Sequence, residues 1–188
     1  MKKYIALSGV LLAFSFAAFA LPQDKLEPGS ALGDGTSDDP GPSFCTAIPG
    51  NLVTNCGFET GSFSGWTQIG DTSFTGVNPA SANSGNFGAF LGPTGTYGGI
   101  TQNIATVAGQ NYGLTFYLRH DGGSGNAWRV SWNGTVIFSA TEAPAFPYTV
   151  MGFNVTATGT TSALTFEFIQ VPAYYYLDDV IVVPCGAE

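Results

Sequence analysis

From Cys45 to Cys185 apolar side chains recur at every second position in short runs, and Gly or Asn breaks each run. A period of two sends successive side chains to opposite faces of an extended chain, the pattern of a strand buried on one face. In "YGLTFYLRH", Tyr112, Leu114, Phe116 and Leu118 fall on one face; Thr115, Tyr117 and Arg119 fall on the other. In "AWRVSWNGTVIFS", Trp128, Val130 and Trp132 share a face, and Asn133-Gly134 marks a hairpin because both residues accept a positive φ. "ALTFEFIQV" turns Leu164, Phe166 and Phe168 inward and Thr165, Glu167 and Ile169 outward. No amphipathic helix exceeds a turn or two. Many short strands, Gly-rich turns and almost no helix predict an all-β fold, an antiparallel β-sandwich over residues 45–188. That length is enough for one core.

The start, "MKKYIALSGVLLAFSFAAFA", has two Lys, an apolar run and then Ala18-Phe19-Ala20. This is the arrangement of a secretory signal peptide over residues 1–20, cleaved at about Ala20. The alternative is an uncleaved anchor, since the run almost spans a bilayer. Cleavage predicts a secreted, extracellular or periplasmic protein with no membrane attachment. Residues 21–44, rich in Pro, Gly, Asp and Ser without periodicity, read as a disordered linker. Its "GDGTSDD" lacks the spacing and terminal Glu of a calcium loop.

Loss of Lys2 and Lys3 with the leader deepens the formal charge of −8 by a further two. Phosphate recognition needs clustered Lys and Arg, so nucleic acid is excluded as a partner. An acidic surface instead attracts cations.

Taking Asn51–Phe58 as the first strand and Leu177–Val183 as the last, antiparallel pairing of the two brings Glu59 beside Asp178 and Asp179. Clustered carboxylates repel unless neutralised. Calcium, a hard cation that takes six to eight oxygens, is one solution. The other is that Asp178 and Glu59 cap turns and face solvent. In the same register Cys56 lies near Val180 and Cys185 near residue 51. Cys45–Cys185 and Cys45–Cys56 are then both possible disulfides, and Cys56–Cys185 is too distant. One thiol of the three is left over.

"NLVTNCGFETGSFSGWT", "NSGNFGAFLG" and "YYYLDDVIVV" together resemble the galactose-binding-like jelly rolls of bacterial secreted proteins. They are similar to carbohydrate-binding modules of families four, nine and twenty-two. They are closer still to domains of exported proteins that bear a Pro-Glu-Pro C-terminal sorting signal. The resemblance covers roughly Asn51–Val183 and implies a jelly-roll topology. It also implies a structural calcium, held by Glu59 and one of Asp178 or Asp179 through side chains. Gly57 and the Ser84–Asn86 turn would add carbonyls. The chain departs from those relatives at "PCGAE", which carries neither a Pro-Glu-Pro signal nor an Arg cluster, so their anchoring route is not expected. Cys56 stands where the pattern has a small residue, so no disulfide is implied.

Catalysis finds little support. His120 stands alone before a Gly-rich loop, no G-x-S-x-G is present, and His120 reads as a solvated loop residue. Glu167 has no clear carboxylate partner for glycoside hydrolysis. Trp66, Trp128 and Trp132 read as core. Tyr117, Arg119, Arg129 and Glu167 point away from the core and would form one ligand patch if their strands were neighbours. Tyr97 and Tyr175 could rim it. The predicted function is non-catalytic binding of a polysaccharide or glycan. The alternative is a structural cell-surface or matrix protein with no sugar ligand.

Overall fold

The alternating runs form ten strands in the computed structural model, which describes residues 41–170 and 172–186. The predicted signal peptide, and the predicted linker as far as residue 40, lie outside the described residues. In chain order the strands are β1 (Thr67–Gly70), β2 (Thr75–Asn78), β3 (Gly88–Leu91), β4 (Gly98–Ala105) and β5 (Asn111–His120). They continue with β6 (Ala127–Trp132), β7 (Thr135–Thr141), β8 (Phe146–Thr156), β9 (Thr161–Ile169) and β10 (Tyr175–Pro184). Helix among the described residues is limited to two 3₁₀ turns, Phe44–Ala47 and Pro79–Ser81.

All pairings are antiparallel, in two five-stranded sheets. The first runs β1-β4-β9-β6-β7 and the second β2-β3-β10-β5-β8. Their inner faces share one core. The Phe116 ring of β5 meets Phe166 of β9 at 4.9 Å and Trp128 of β6 at 6.3 Å. Tyr112, Leu114, Phe116 and Leu118 are buried, as are Leu164, Phe166 and Phe168, so the predicted inward faces are the observed ones. Each such side chain contributes about 1.5–3 kcal/mol by leaving water. Trp66, Trp128 and Trp132 join the same core. Asn133 and Gly134, at φ +51° and +75°, turn β6 into β7.

The expected first strand, Asn51–Phe58, is not a strand. Asn55 and Phe58 sit in the left-handed region, at φ +51° and +59°, which a pleat cannot accommodate. The turn at Phe58 drives its ring into the core against Phe63 and Trp66. The segment still tracks β10 in antiparallel sense: Leu52 N donates to Val182 O, and Val180 N donates to Cys56 O, both at 2.9 Å. β10 is irregular there, with a register shift between Asp178 and Ile181 and a φ of +50° at Asp179.

Of the two disulfides the sequence left open, Cys45–Cys56 forms, with Cα atoms 6.0 Å apart. Cys185 is free and exposed. Ser43 and Phe44, assigned to the linker, belong to the folded unit: Ser43 is buried and Phe44 opens the first 3₁₀ turn.

Candidate functional site

On the outer face of the first sheet, register aligns Gly99 of β4, Glu167 of β9, Arg129 of β6 and Ser139 of β7 in one row. Arg129 donates from Nε to Glu167 Oε2 at 2.7 Å and from Nη2 to Oε1 at 2.8 Å. The Tyr97 ring, from the β3–β4 connection, lies 4.1 Å from the guanidinium carbon. The Arg129 pKa is raised, chiefly by its hydrogen bond to Glu167. One row away, Thr101 and Thr165 pair their hydroxyls at 2.9 Å. An aromatic ring, a fixed planar ion pair and a row of hydroxyls thus occupy one half-buried sheet face. Such a surface can stack on the C–H face of a sugar and exchange hydrogen bonds with its hydroxyls.

The rest of the expected patch lies elsewhere. β5 belongs to the second sheet, so Tyr117 and Arg119 face the opposite side of the sandwich from Arg129 and Glu167. Arg119 stacks on Tyr176 at 3.7 Å and pairs with Asp121 at 3.5 Å. The Tyr176 hydroxyl donates to Asp121 Oδ2. Tyr117 meets Phe44 edge-on at 6.2 Å. Tyr175 cannot rim a ligand site, because it is 0% exposed, stacked on His120 at 4.1 Å, with its hydroxyl donating to Asn126 Oδ1. Burial raises its phenol pKa well above the ordinary value. His120 is likewise no solvated residue: it is 1% exposed, and its ring nitrogens lie 3.1 Å from Pro144 O and 2.9 Å from Gln170 Oε1.

The carboxylate corner is real in outline and different in detail. Asp178 and Asp179 are both 0% exposed. Asp178 Oδ2 accepts from the amides of Asn83 and Ser84, at 2.7 and 3.2 Å, and its Oδ1 accepts from Asp179 N. Asp179 accepts from Ser43 Oγ, Cys45 N, Asn83 Nδ2 and Ser84 Oγ. Glu59 instead accepts from Asn86 N and Phe87 N, at the far end of the same loop. The three carboxylates therefore converge on the 83–87 loop, but not on one point. Gly57 provides room: a Cβ there would lie 2.0 Å from Ser43 Oγ. Burial, and then the Asp179 charge, push the Asp178 carboxyl up to about 8. Among the described residues no three His, Cys, Asp or Glu side chains are arranged to hold a metal. Ser43 was missed as a member of this corner because it reads as linker. The Ser84–Asn86 turn was expected to contribute carbonyls, whereas the Ser84 hydroxyl and the neighbouring Asn83 side-chain amide are what reach Asp179.

Solved structures share this fold. A family 61 carbohydrate-binding module in complex with β-1,4-galactotriose aligns with a TM-score of 0.54 and 20% identity, over 72% of this chain and 99% of that one. A family 22 xylan-binding domain aligns at 0.55 and 13% identity, over 75% and 99%. The Clostridium thermocellum xylanase 10B, as its family 22 and glycoside hydrolase modules complexed with xylohexaose, aligns at 0.56 and 18% identity. That alignment covers 73% of this chain but only 29% of the xylanase chain. No protein-family model and no curated protein matches the chain. The fold is the β-sandwich jelly roll that these family 61 and family 22 modules also adopt, the topology that the sequence resemblance implied.

Proposed function

We propose that this is a secreted, non-catalytic carbohydrate-binding protein whose glycan lies across the outer face of the first sheet. The observation that carries the reading is the Tyr97 ring set over the Arg129 guanidinium, itself held by Glu167 through two hydrogen bonds. The groups are fixed before a ligand arrives, which lowers the entropy lost on binding. A family 61 module in complex with galactotriose, and a chain of family 22 and glycoside hydrolase modules complexed with xylohexaose, lend the reading its substrate class. Calorimetric titration with these two oligosaccharides tests it: Arg129→Ala should abolish the heat of binding, and an unchanged isotherm contradicts the assignment.

A calcium ion at the carboxylate corner belongs to the same proposal. Asp179 is surrounded by Ser43 and Ser84 hydroxyls and the Asn83 amide, all side chains that carry an oxygen and can turn it toward a cation. Asp178, Asp179, Ser43, Asn83 and Ser84 would hold the ion; Glu59 would stay on Asn86 and Phe87. Calcium would neutralise two adjacent buried carboxylates and tie β10 to the N-terminal segment and the 83–87 loop.

One observation favours the second reading, a structural or assembling protein. The edge strands β7 ("TVIFSAT") and β8 ("FPYTVMGFNVT") carry no charge, and they expose Val136, Phe138 and Val150. Uncharged edges invite pairing with another strand. Self-association in light scattering, with no glycan bound, is the result this reading requires.

A further inference from the structure

Away from the first-sheet face lies a pocket of about 270 Å³, lined by Phe74, Gly92, Thr94, Gln170, Pro172 and Tyr174. Phe74 departs from local preference: it is 61% exposed and at φ +51°. A bulky residue disfavours that backbone region, and exposing its ring gains nothing for the core. The chain nevertheless holds it there. Gly92 N donates to Phe74 O at 3.0 Å. Asp71 ties the Phe74 segment to the Thr94 loop, accepting from Ser73 N at 2.9 Å, from Ser73 Oγ, and from Thr94 N at 3.0 Å. Tyr174, which also lines the pocket, is set edge-on to Phe90 at 5.6 Å. Gly92 makes room for it, since a Cβ there would lie 2.8 Å from the tyrosine ring. Gln170 forms the base, its amide fixed by His120 and by Gly122 O, each at 2.9 Å.

We infer that this pocket is a second carbohydrate subsite, which takes one pyranose residue against the Phe74 and Tyr174 rings. The inference rests on the glycan-binding reading of the chain and extends it to a separate place. Three features fit a sugar better than a wholly apolar guest. Two aromatic side chains, Phe74 and Tyr174, line it and could pack on the C–H side of a pyranose. The Thr94 and Tyr174 hydroxyls have no hydrogen-bond partner among the described residues and stand ready for ring hydroxyls. The volume falls below the roughly 300–1,000 Å³ of drug-sized sites, which limits the guest to about one ring. Thr94 and Tyr97 share the β3–β4 connection, so one short loop contributes to both subsites.

The experiment is a ¹⁵N–¹H correlation titration of the full chain, with calcium, against xylohexaose and β-1,4-galactotriose in turn. The inference expects amide shifts at Gly92, Thr94 and Phe74 in addition to those at Arg129 and Glu167. Phe74→Ala should abolish the first group and leave the second. Thr94→Val, which removes only a hydroxyl, should weaken the first group by about tenfold if that hydroxyl makes one good hydrogen bond. Shifts confined to Arg129 and Glu167 overturn the pocket and leave the sheet face standing. Shifts confined to Gly92 and Thr94 support the pocket and overturn the sheet face. No shift anywhere with either sugar overturns both.

Discussion

Arg129 and Glu167 meet side by side across β6 and β9, locked by two parallel hydrogen bonds of 2.7 and 2.8 Å beneath the Tyr97 ring. Their side chains keep 34% and 18% exposure, so the pair is partly screened by solvent. Pairs of this kind contribute at most about 1 kcal/mol to stability. Glu167→Gln should therefore shift the melting temperature by less than about 4 °C. The same change should strip oligosaccharide binding, because it releases the guanidinium from its fixed orientation. Differential scanning calorimetry and titration on one protein sample separate the two effects; equal loss of stability and binding counts against a recognition role.

The Cys45–Cys56 bond closes a short loop around the N-terminal segment, with a separation of 11 residues. Constraining the unfolded chain over so short a loop is worth about 3 kcal/mol. Cys45→Ser with Cys56→Ser should lower the melting temperature by about 10 °C. Cys185→Ser should leave it unchanged, and a comparable drop there contradicts the pairing.

Asp179 is the common anchor of Ser43, Cys45, Asn83 and Ser84. Asp179→Ala leaves the buried Ser43 and Cys45 donors unpaired at a cost of about 3 kcal/mol or more. If calcium occupies the corner, EDTA should lower the melting temperature of the parent chain and have no effect on Asp179→Ala. A parent chain indifferent to both EDTA and added calcium removes the ion from the account.

Asp71 has its pKa lowered, first by the Ser73 hydroxyl, then by the Ser73 and Thr94 amides. Its folded pKa lies below the unfolded value of 3.8, so its contribution is present above that value and disappears as pH falls through the folded one. Amide exchange at Ser73 and Thr94, corrected for intrinsic rates, should lose protection on acidification below about pH 4. In Asp71→Asn that pH step should vanish. A step that survives the substitution belongs to another group.

The inward faces of β5, β6 and β9 were legible because burial on one side writes a period of two into the chain. His120 was legible by the same rule, as the next member of the series Tyr112, Leu114, Phe116 and Leu118, but the Gly-rich loop behind it argued for solvent. Register then stacks it on Tyr175 of β10, which removes that tyrosine from any ligand face. Alternation says which side of a strand is buried; it does not say which sheet the strand joins. That is why Tyr117 and Arg119 part from Arg129 and Glu167. The left-handed turns at Asn55 and Phe58 left no mark, since "NLVTNCGF" has the composition of a strand. Phe74 left none either: an exposed ring at a positive φ contradicts every local preference, and only its neighbours' geometry reveals the pocket.

The central claim is that a glycan lies over Tyr97, Arg129 and Glu167. Affinity electrophoresis through gels that contain xylan, galactan or other polysaccharides tests it most directly, with the parent chain run beside Tyr97→Ala and Arg129→Ala. The account predicts that at least one polysaccharide retards the parent and that both variants migrate freely while keeping their fold by circular dichroism. Retardation of both variants equal to that of the parent contradicts it.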